Sequence, residues 1–239
     1  MTKVFSSLLF FVVILISSCD ITGERIDGNG NVTSSNRPLD KAEKIRVQGA
    51  VDVIIAPGSP SIRVEADENL IPYIETTMED NWLEIKTRND VNLHTSNSIK
   101  VYVITPLVSD LKLTGSGNIT GNGKFATNDD MTISITGSGD IRMEVNAPKV
   151  EADVTGSGNL HIAGETQNLD INVTGSGNYE GQDLKAENAV AKVSGSGDIN
   201  LFADSHLKAT VNGSGNIKYK GSPNVDSHVA GSGSVAKVQ

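Results

Sequence analysis

Three side chains capable of acid–base chemistry recur at one position of a repeated sequence. Arg142, His161 and Glu180 each lie five residues after the start of a Gly-Ser-Gly tripeptide, in three successive repeats. If the repeats stack, the three side chains become neighbours that could bind the carboxylate of an acidic sugar or transfer a proton. The same column continues with residues of mixed chemistry, namely Thr120, Asn200, Lys218 and Ala236.

An ordinary solvent-exposed face explains the same three residues without any catalysis. Opposite charges on neighbouring strands attract each other by only about 0.2–1 kcal/mol, and such pairs are common on sheet surfaces. No motif around the three residues supplies a nucleophile or fixes a general base. We therefore expect a protein that is not an enzyme, and Arg142, His161 and Glu180 remain the only candidate catalytic residues.

The sequence predicts neither a metal site nor a cofactor. The four histidines stand at different offsets from the repeated tripeptide, so they do not form one column, and a single Cys excludes a multi-thiolate site. Gly-Ser-Gly is followed by Asp only at Asp140 and Asp198, in non-adjacent repeats, which does not favour calcium. No helix with Lys and Ser or Thr follows the tripeptides, as a phosphate-binding loop would require.

The only cysteine, Cys19, ends an apolar N-terminal segment. Lys3 precedes a nearly unbroken apolar run over residues 4–16, which is too short to span a membrane as a helix. The sequence Ile16-Ser17-Ser18-Cys19 resembles a bacterial lipobox, in which the cysteine becomes the mature N-terminus and carries a diacylglycerol group. We predict lipidation at Cys19; an ordinary signal peptide with an incidental cysteine is the alternative.

Lipidation at Cys19 predicts a protein of the cell envelope, anchored in a membrane by its acyl chains. The outer membrane is the expected location, on its periplasmic or surface face. Asp20 favours inner-membrane retention in enterobacteria but not in other lineages, so the inner membrane stays open. The chain has 29 acidic and 20 basic residues, which argues against a nucleic-acid partner and leaves a glycan or a protein as the expected ligand.

A tripeptide repeat organises the second half of the chain. Seven copies of Gly-Ser-Gly follow one another at intervals of 18 to 22 residues and contain 14 of the 24 glycines. Glycine permits the positive φ angles of a tight bend. The predicted bend glycines, taken as the first residue of each copy, are Gly115, Gly137, Gly156, Gly175, Gly195, Gly213 and Gly231.

Fixed columns of residues surround each bend. An apolar residue always stands two positions before the tripeptide, and another stands four positions after its start. Between them lies a column of amides and carboxylates, which we predict to form a hydrogen-bonded ladder between repeats. Its members are Asn118, Asp140, Asn159, Asn178, Asp198 and Asn216.

The repeat predicts an all-β fold. Apolar and polar residues alternate with a period of two, as in Leu169, Ile171 and Val173, which is typical of strands with one buried face. A hairpin stack would place successive bends at opposite ends, whereas one identical bend recurs here in every repeat. We therefore predict a right-handed parallel β-helix, or β-solenoid, with about three faces and a β-rich N-terminal cap region.

The chain divides into four predicted segments. Residues 1–18 are the lipoprotein signal peptide, 19–36 a tether, 37–110 a β-rich N-terminal half and 111–239 the repeat solenoid. Residues 67–80 have room for one or two helical turns capped by Asp67. Trp82 is the best aromatic candidate for a glycan surface, although a core or cap role fits it better, and Tyr179 falls in a buried column.

The order of motifs resembles the bacterial family named "putative auto-transporter adhesin, head GIN domain", a domain of unknown function. The resemblance covers residues 28–239 and implies an extracytoplasmic β-helical protein, often a lipoprotein, without catalytic residues to carry over. The motifs are Gly28-Asn29-Gly30-Asn31-Val32, Arg37, Val47-x-Gly49, Val51-Asp52-Val53-Ile54-Ile55, Val64-Glu65-Ala66-Asp67-x-Asn69-Leu70, Leu83-x-Ile85, Val101-Tyr102-Val103-Ile104-x-Pro106 and Leu111-x-Leu113-Thr114-Gly115-Ser116-Gly117.

These features predict a lipid-anchored β-solenoid that acts as a non-enzymatic adhesion or scaffolding module of the cell envelope. Long solenoid faces offer extended binding surfaces. Two alternatives stay open: an enzyme on envelope or host polysaccharide, and a purely structural spacer of the envelope.

Overall fold

The computed structural model describes residues 23–239, so the predicted signal peptide and Cys19 lie outside the described residues. These residues form strands and one short 3₁₀ turn, Ile71–Tyr73. The strands of the N-terminal half are β1 Glu24–Asp27, β2 Val32–Arg37, β3 Lys44–Gly49, β4 Asp52–Ala56, β5 Ser61–Asp67, β6 Ile74–Glu79, β7 Trp82–Thr87, β8 Val91–His94 and β9 Lys100–Ile104.

The repeats form the remaining strands, several of which continue through a whole coil. They are β10 Asp110–Gly115, β11 Ile119–Ala126, β12 Met131–Gly137, β13 Ile141–Gly156, β14 Asn159–Gly175, β15 Asn178–Gly195, β16 Ile199–Gly213, β17 Asn216–Lys220, β18 Asn224–Gly231 and β19 Ser234–Lys237.

Successive coils pair in parallel, which confirms the predicted β-solenoid. We call the strands that lead into a bend side A and those that leave it side B. Side A runs, from the N-terminal end, through β7, β3, β10, β12, residues 150–156, 169–175, 189–195 and 207–213, and β18. Side B runs through β9, β4, β11, the first residues of β13 to β16, β17 and β19. The variable spacers close each coil.

A single apolar core fills the inside of the coils, from Ala42 to Ile217. It forms because every second residue of sides A and B points inward and falls in register with the same position of the next coil, as in the column Val154, Val173 and Val193. Tyr179 is fully buried, as predicted from its column. Its hydroxyl finds no hydrogen-bond partner within residues 23–239, and burial raises the pKa of the phenol.

The bends stack more closely than any residue with a Cβ would allow. In one bend, the amides of Ser157 and Gly158 both donate to the Gly137 carbonyl of the preceding coil, at 2.8 and 3.1 Å. A Cβ added to Gly156 would lie well inside 3.0 Å of that same carbonyl, and one added to Gly158 equally close to the Gly139 carbonyl. The Ser and second Gly amides of every Gly-Ser-Gly donate in this way to the carbonyl of the preceding bend, and the first accepting carbonyl is that of Gly49. Gly49 was outside the sequence-predicted set.

The N-terminal coils are not stacked in chain order. The coil made of β3 and β4 lies between a later coil, β7 with β9, and the first repeat, β10 with β11. Antiparallel strands then cover the outermost coil, because β6 folds back on β7 while β5 and β2 add to β9. This is the β-rich cap region, and its core is continuous with that of the repeats.

Two local expectations need correction. Over its described part, the predicted tether at 19–36 contains β1, paired with β8, and most of β2, paired with β5, because their backbone groups find partner strands. The segment 67–80 contains one 3₁₀ turn followed by β6, and the N-cap of the turn is Leu70 without a side-chain bond. Asp67 does not cap it, since its carboxylate is buried and bonded elsewhere, to Thr95 and Asn97.

Replacing Gly158 by Ala tests the close packing of the bends. Gly158 does not have a positive φ angle, so the added methyl group acts through its collision with the preceding coil alone. We expect the free energy of unfolding to fall by about 1–3 kcal/mol, as for other overpacked sites, in urea titrations followed by circular dichroism. Ser157→Ala is the matched control, because Ser157 is exposed in the same bend. Equal losses for the two variants would contradict the close packing.

Candidate functional site

The structure brings the three candidate catalytic residues into one column of side B. Arg142 is in register with His161 on the next coil, and His161 with Glu180 on the coil after it. The three residues border a shallow depression of about 250 Å³ together with Gln182 and Asp183. Stacking of the repeats therefore produces the neighbourhood that the sequence predicted.

The three residues are not linked to one another. Within residues 23–239 no hydrogen bond or ion pair joins Arg142, His161 and Glu180. Glu180 instead accepts two hydrogen bonds, at 3.0 and 3.1 Å, from the side-chain amide of Asn200 one coil further on. Within residues 23–239, no hydrogen bond between these side chains orients one of them as a general base toward another.

A polar ladder runs beside this column along the whole solenoid. Each of the six residues predicted from the sequence bonds to the next coil, for example Asn178 Nδ2 to Asn159 Oδ1 at 2.9 Å. The aspartates accept two bonds each; both the backbone and side-chain amides of Asn159 donate to Asp140. Asp52 and Ser234 extend the ladder at its two ends, because Asn118 donates to Asp52 and Ser234 to Asn216.

A groove with an apolar floor opens on the outer face of side B, near the N-terminal end. Ile54, Tyr102 and Ile104 line it, in a volume of about 650 Å³. Ile104 is 36% exposed although it lies within a strand. Arg63 stands at the rim, with its guanidinium 4.0 Å from the centre of the Tyr102 ring and an ion pair to Glu65. Ligand pockets typically combine apolar walls with a few polar groups of this kind.

This groove was not predicted from the sequence, although the sequence carries a signal that could have revealed it. In Val53-Ile54-Ile55, the middle residue is apolar at a position where the alternation calls for a polar side chain, and Ile104 breaks the alternation in the same way. β4 and β9 pair in parallel with Ile54 opposite Tyr102 and Ala56 opposite Ile104. Two breaks of the pattern on adjacent strands thus combine into one apolar patch.

Trp82 lies on the outer surface of side A, in a ring of cations. The charged groups of Arg46, Lys112 and Lys44 lie 4.7, 4.9 and 5.7 Å from the ring centroid. Glu84 beside them is buried, and its hydrogen bonds with Lys86 and Arg46 hold the pKa of its carboxyl below the usual range. Cations cover the indole, so Trp82 stabilises the cap region more than it offers a free stacking surface.

The most specific N-terminal motifs meet in a buried hydrogen-bond network. Asp67 accepts bonds from the Thr95 hydroxyl at 2.6 Å and the Asn97 side-chain amide at 2.7 Å. These bonds, with one from the Gly30 backbone, hold the pKa of Asp67 below its ordinary value. A Cβ on Gly28 would collide with the carboxylate. The buried carboxylate of Asp67 thus joins the motifs at residues 28–32 and 64–70 within the cap region.

Two further features are absent from the described residues. Within residues 23–239, no group of three or more His, Cys, Asp or Glu side chains is placed to hold a metal ion. In the same part of the chain, none of the helical structure has the length and apolar character that crossing a bilayer as a helix requires.

Together, the fold and its surfaces define a class: a capped β-solenoid with a polar ladder along one corner and an apolar groove on an outer face. The chain belongs to the family described as "Putative auto-transporter adhesin, head GIN domain", whose model matches residues 42–223. The resemblance drawn from the sequence is therefore confirmed.

Solved structures share this architecture over almost the whole described chain. A putative adhesin from Bacteroides fragilis NCTC 9343 superposes with a TM-score of 0.83 at 23% identity, covering 89% of this chain and 100% of that one. A protein from Parabacteroides distasonis ATCC 8503, described as a putative lipid binding protein, has a TM-score of 0.76 at 28% identity, covering 90% and 100%. A putative adhesin from Parabacteroides merdae ATCC 43184 gives 0.74 at 24% identity, covering 91% and 100%.

A comparison with curated protein sequences finds no significant match.

Proposed function

We propose that the protein is a lipid-anchored, non-enzymatic adhesion or scaffolding module of the cell envelope. The observation that carries this proposal is the apolar groove of side B, which Ile54, Tyr102 and Ile104 line on the outer surface of the solenoid. Its family is described as adhesin-like, and one structural relative is described as a lipid binding protein; both descriptions favour binding over catalysis. In this proposal the lipobox-like residues 16–19 supply the anchor, and the outer membrane is the expected location.

The groove suits a ligand that has an apolar part and a negatively charged or polar part. Ile54 and Ile104 offer the apolar floor, beside the Tyr102 ring that Arg63 covers on one face, and the volume of the groove is within the range of small-molecule sites, about 300–1,000 Å³. Arg63 and Asn122 at the rim offer hydrogen-bond donors. Acylated envelope glycolipids combine both features, and we propose them as the ligand class.

The polysaccharide-active alternative has a weaker basis. It relies on Arg142, His161 and Glu180, which are adjacent in register but are not connected by hydrogen bonds in the described chain. Their depression holds roughly two-fifths of the groove's volume. We therefore assign binding to the groove and treat the three-residue column as a solvent face.

Binding of acylated lipopolysaccharide micelles to the immobilised protein tests the assignment to the groove. We expect Ile104→Glu to weaken binding by at least ~10-fold, because a carboxylate on the groove floor would have to be desolvated beside the apolar part of the ligand. The triple variant Arg142→Ala, His161→Ala and Glu180→Ala should bind as the wild type does.

Met78→Glu is the matched control for the groove variant. Met78 is also an exposed apolar residue of an N-terminal strand, at 48% exposure, but it lies outside the groove. Thermal unfolding of each variant separates lost binding from lost structure. Loss of binding in the triple variant with full binding in Ile104→Glu would overturn the assignment, as would a wild-type protein that binds no micelles.

Metabolic labelling with a palmitate analogue tests the anchor. In a bacterial host, we expect the wild-type chain to be labelled and to sediment with membranes, and Cys19→Ala to lose both properties because it lacks the thiol that carries the lipid. Ser18→Ala, which keeps a small residue before the cysteine, should be labelled normally. Equal labelling of wild type and Cys19→Ala would contradict lipidation at this residue.

A further inference from the structure

A second concavity lies on the spacers that close the coils, away from the groove on side B. It has a volume of about 670 Å³ and extends over three successive coils. Residues 126–128, 146–148 and 165–167 line it, and none of them lines the groove. We call it the spacer concavity. Its volume falls within the range of small-molecule sites, about 300–1,000 Å³.

A longer coil borders the spacer concavity on one side. The first two predicted bends are 22 positions apart, whereas the next two intervals between bends are 19. The additional residues fall in the loop 127–130, between β11 and β12. In this loop the Thr127 hydroxyl accepts a hydrogen bond from the Asp129 amide at 3.0 Å, and the Thr127 amide donates to the Asn146 carbonyl at 2.9 Å. The wall is therefore fixed to the neighbouring coil.

Small side chains leave the space for the concavity. Ala126 begins an outward column and is in register with Asn146 and then Glu165 on the following coils. The next residue of this column, Lys185, places its ammonium 4.1 Å from the centroid of the Phe202 ring and does not line the concavity. The concavity is thus confined to the three coils that carry Ala126, Asn146 and Glu165.

The floor of the concavity offers little polar chemistry. Ala147 and Thr166 are in register there, and both are buried. The Thr166 hydroxyl lies 3.3 and 3.1 Å from the carbonyl oxygens of Pro148 and Asn168, so its proton is used within the protein. The Ala147 methyl group and the Pro148 ring add apolar surface. Polar groups that could contact a ligand therefore lie on the walls.

The walls carry three side-chain amides and one carboxylate, which have no partner in the described part of the chain. Within residues 23–239, no hydrogen bond or ion pair involves the side chains of Asn128, Asn146, Gln167 and Glu165. Asn146 and Glu165 are in register on neighbouring coils, yet no bond joins them. The ladder amides in the same kind of register do bond to one another. The wall groups are therefore available to a ligand.

The wall groups determine which ligand chemistry fits. Among the described residues, no Lys, Arg or His lines the concavity and Glu165 carries its only charge, which disfavours an anionic ligand. A cation would use acceptors alone and leave the amide N–H groups without partners. The hydroxyls of a sugar both donate and accept, as the amides do, and its C–H groups can pack on Ala126 and Pro148.

We propose that the spacer concavity binds a neutral oligosaccharide. Its three coils are about 4.8 Å apart, so it suits a short chain of sugars that lies along the solenoid. This site goes beyond the proposed function, because the acylated ligand is assigned to a different surface. When both sites are occupied, the protein connects a glycolipid to a neutral glycan, and only this consequence rests on the proposed function.

Binding of hexasaccharides to the immobilised protein tests the site. The neutral probes are hexasaccharides of glucose, mannose, galactose and N-acetylglucosamine, with hexagalacturonate as the anionic probe and hexalysine as the cationic probe. We expect at least one neutral probe to bind at least ~10-fold more tightly than either charged probe, because only a sugar hydroxyl matches both the donors and the acceptors of the walls.

Ala126→Phe fills the concavity without removing a polar group. Ala126 is exposed, so the larger side chain does not enter the core, and we expect it to weaken binding of the neutral probe by at least ~10-fold. Ala236→Phe is the matched control, because Ala236 is an exposed alanine of β19 outside the concavity. Thermal unfolding of each variant separates lost binding from lost structure.

A second pair of variants tests the hydrogen bonds. Gln167→Ala removes a donor and an acceptor from the wall and should weaken binding of the neutral probe several-fold. Asn172→Ala removes an exposed amide from side A of the same coil and should leave binding unchanged. Ile104→Glu should also bind the neutral probe as the wild type does, which separates this site from the groove.

Three results would refute the oligosaccharide site. The first is a wild-type protein that binds none of the neutral probes. The second is tightest binding of hexagalacturonate or hexalysine, since the walls would then recognise charge. The third is neutral-probe binding that Ile104→Glu abolishes and Ala126→Phe leaves intact, which would place the sugar in the groove.

Discussion

The whole architecture depends on the close contact between one glycine bend and the next. Each bend places two amides on a single carbonyl of the coil before it, at a distance that leaves no room for a Cβ on either glycine. Because the corner of the coil approaches this closely, sides A and B can pair in parallel at the normal spacing of a sheet. The stacking of the bends also brings the inner apolar columns and the outer amide ladder into register from coil to coil. A glycine content that in other proteins accompanies flexibility thus marks closely packed bends in this molecule.

A solenoid of this kind has no interior left for a ligand, so function must lie on its outer surfaces and at its ends. Most of the outer surface is polar, and its residues change from coil to coil. The column of Arg142, His161 and Glu180 carries acid–base groups, but within residues 23–239 no hydrogen bond joins these three side chains. The groove departs from this pattern, because Ile54 and Ile104 put apolar groups outside. Such a surface suits a small amphiphilic ligand.

The repeat half could be predicted closely from the sequence, because its constraints are local and recur seven times. Each repeat has the same bend, an apolar residue on each side of it and a polar residue between them. Repeats with this pattern can stack in few ways, so the ladder from Asn118 to Asn216 could be predicted from the pattern alone. The N-terminal half could not be predicted to the same degree. Alternation identifies β3, β4, β7 and β9 as strands, but it does not indicate that β7 and β9 lie outside β3 and β4. The local sequence predicts Asp67 as a helix cap and cannot predict its burial, because the residues that bond to it, Thr95 and Asn97, are about 30 positions away in the chain.

Hydrogen exchange at the bend amides measures the stacking most directly. The amides of Ser157 and Gly158, and their equivalents in the other bends, donate to the preceding coil and should exchange as slowly as the amides of the paired strands. Protection should be similar in all bends of the inner coils and should decrease only toward the last coil. Exchange of these serine and glycine amides at the rate of an unstructured glycine-rich peptide would contradict a solenoid held together at its bends.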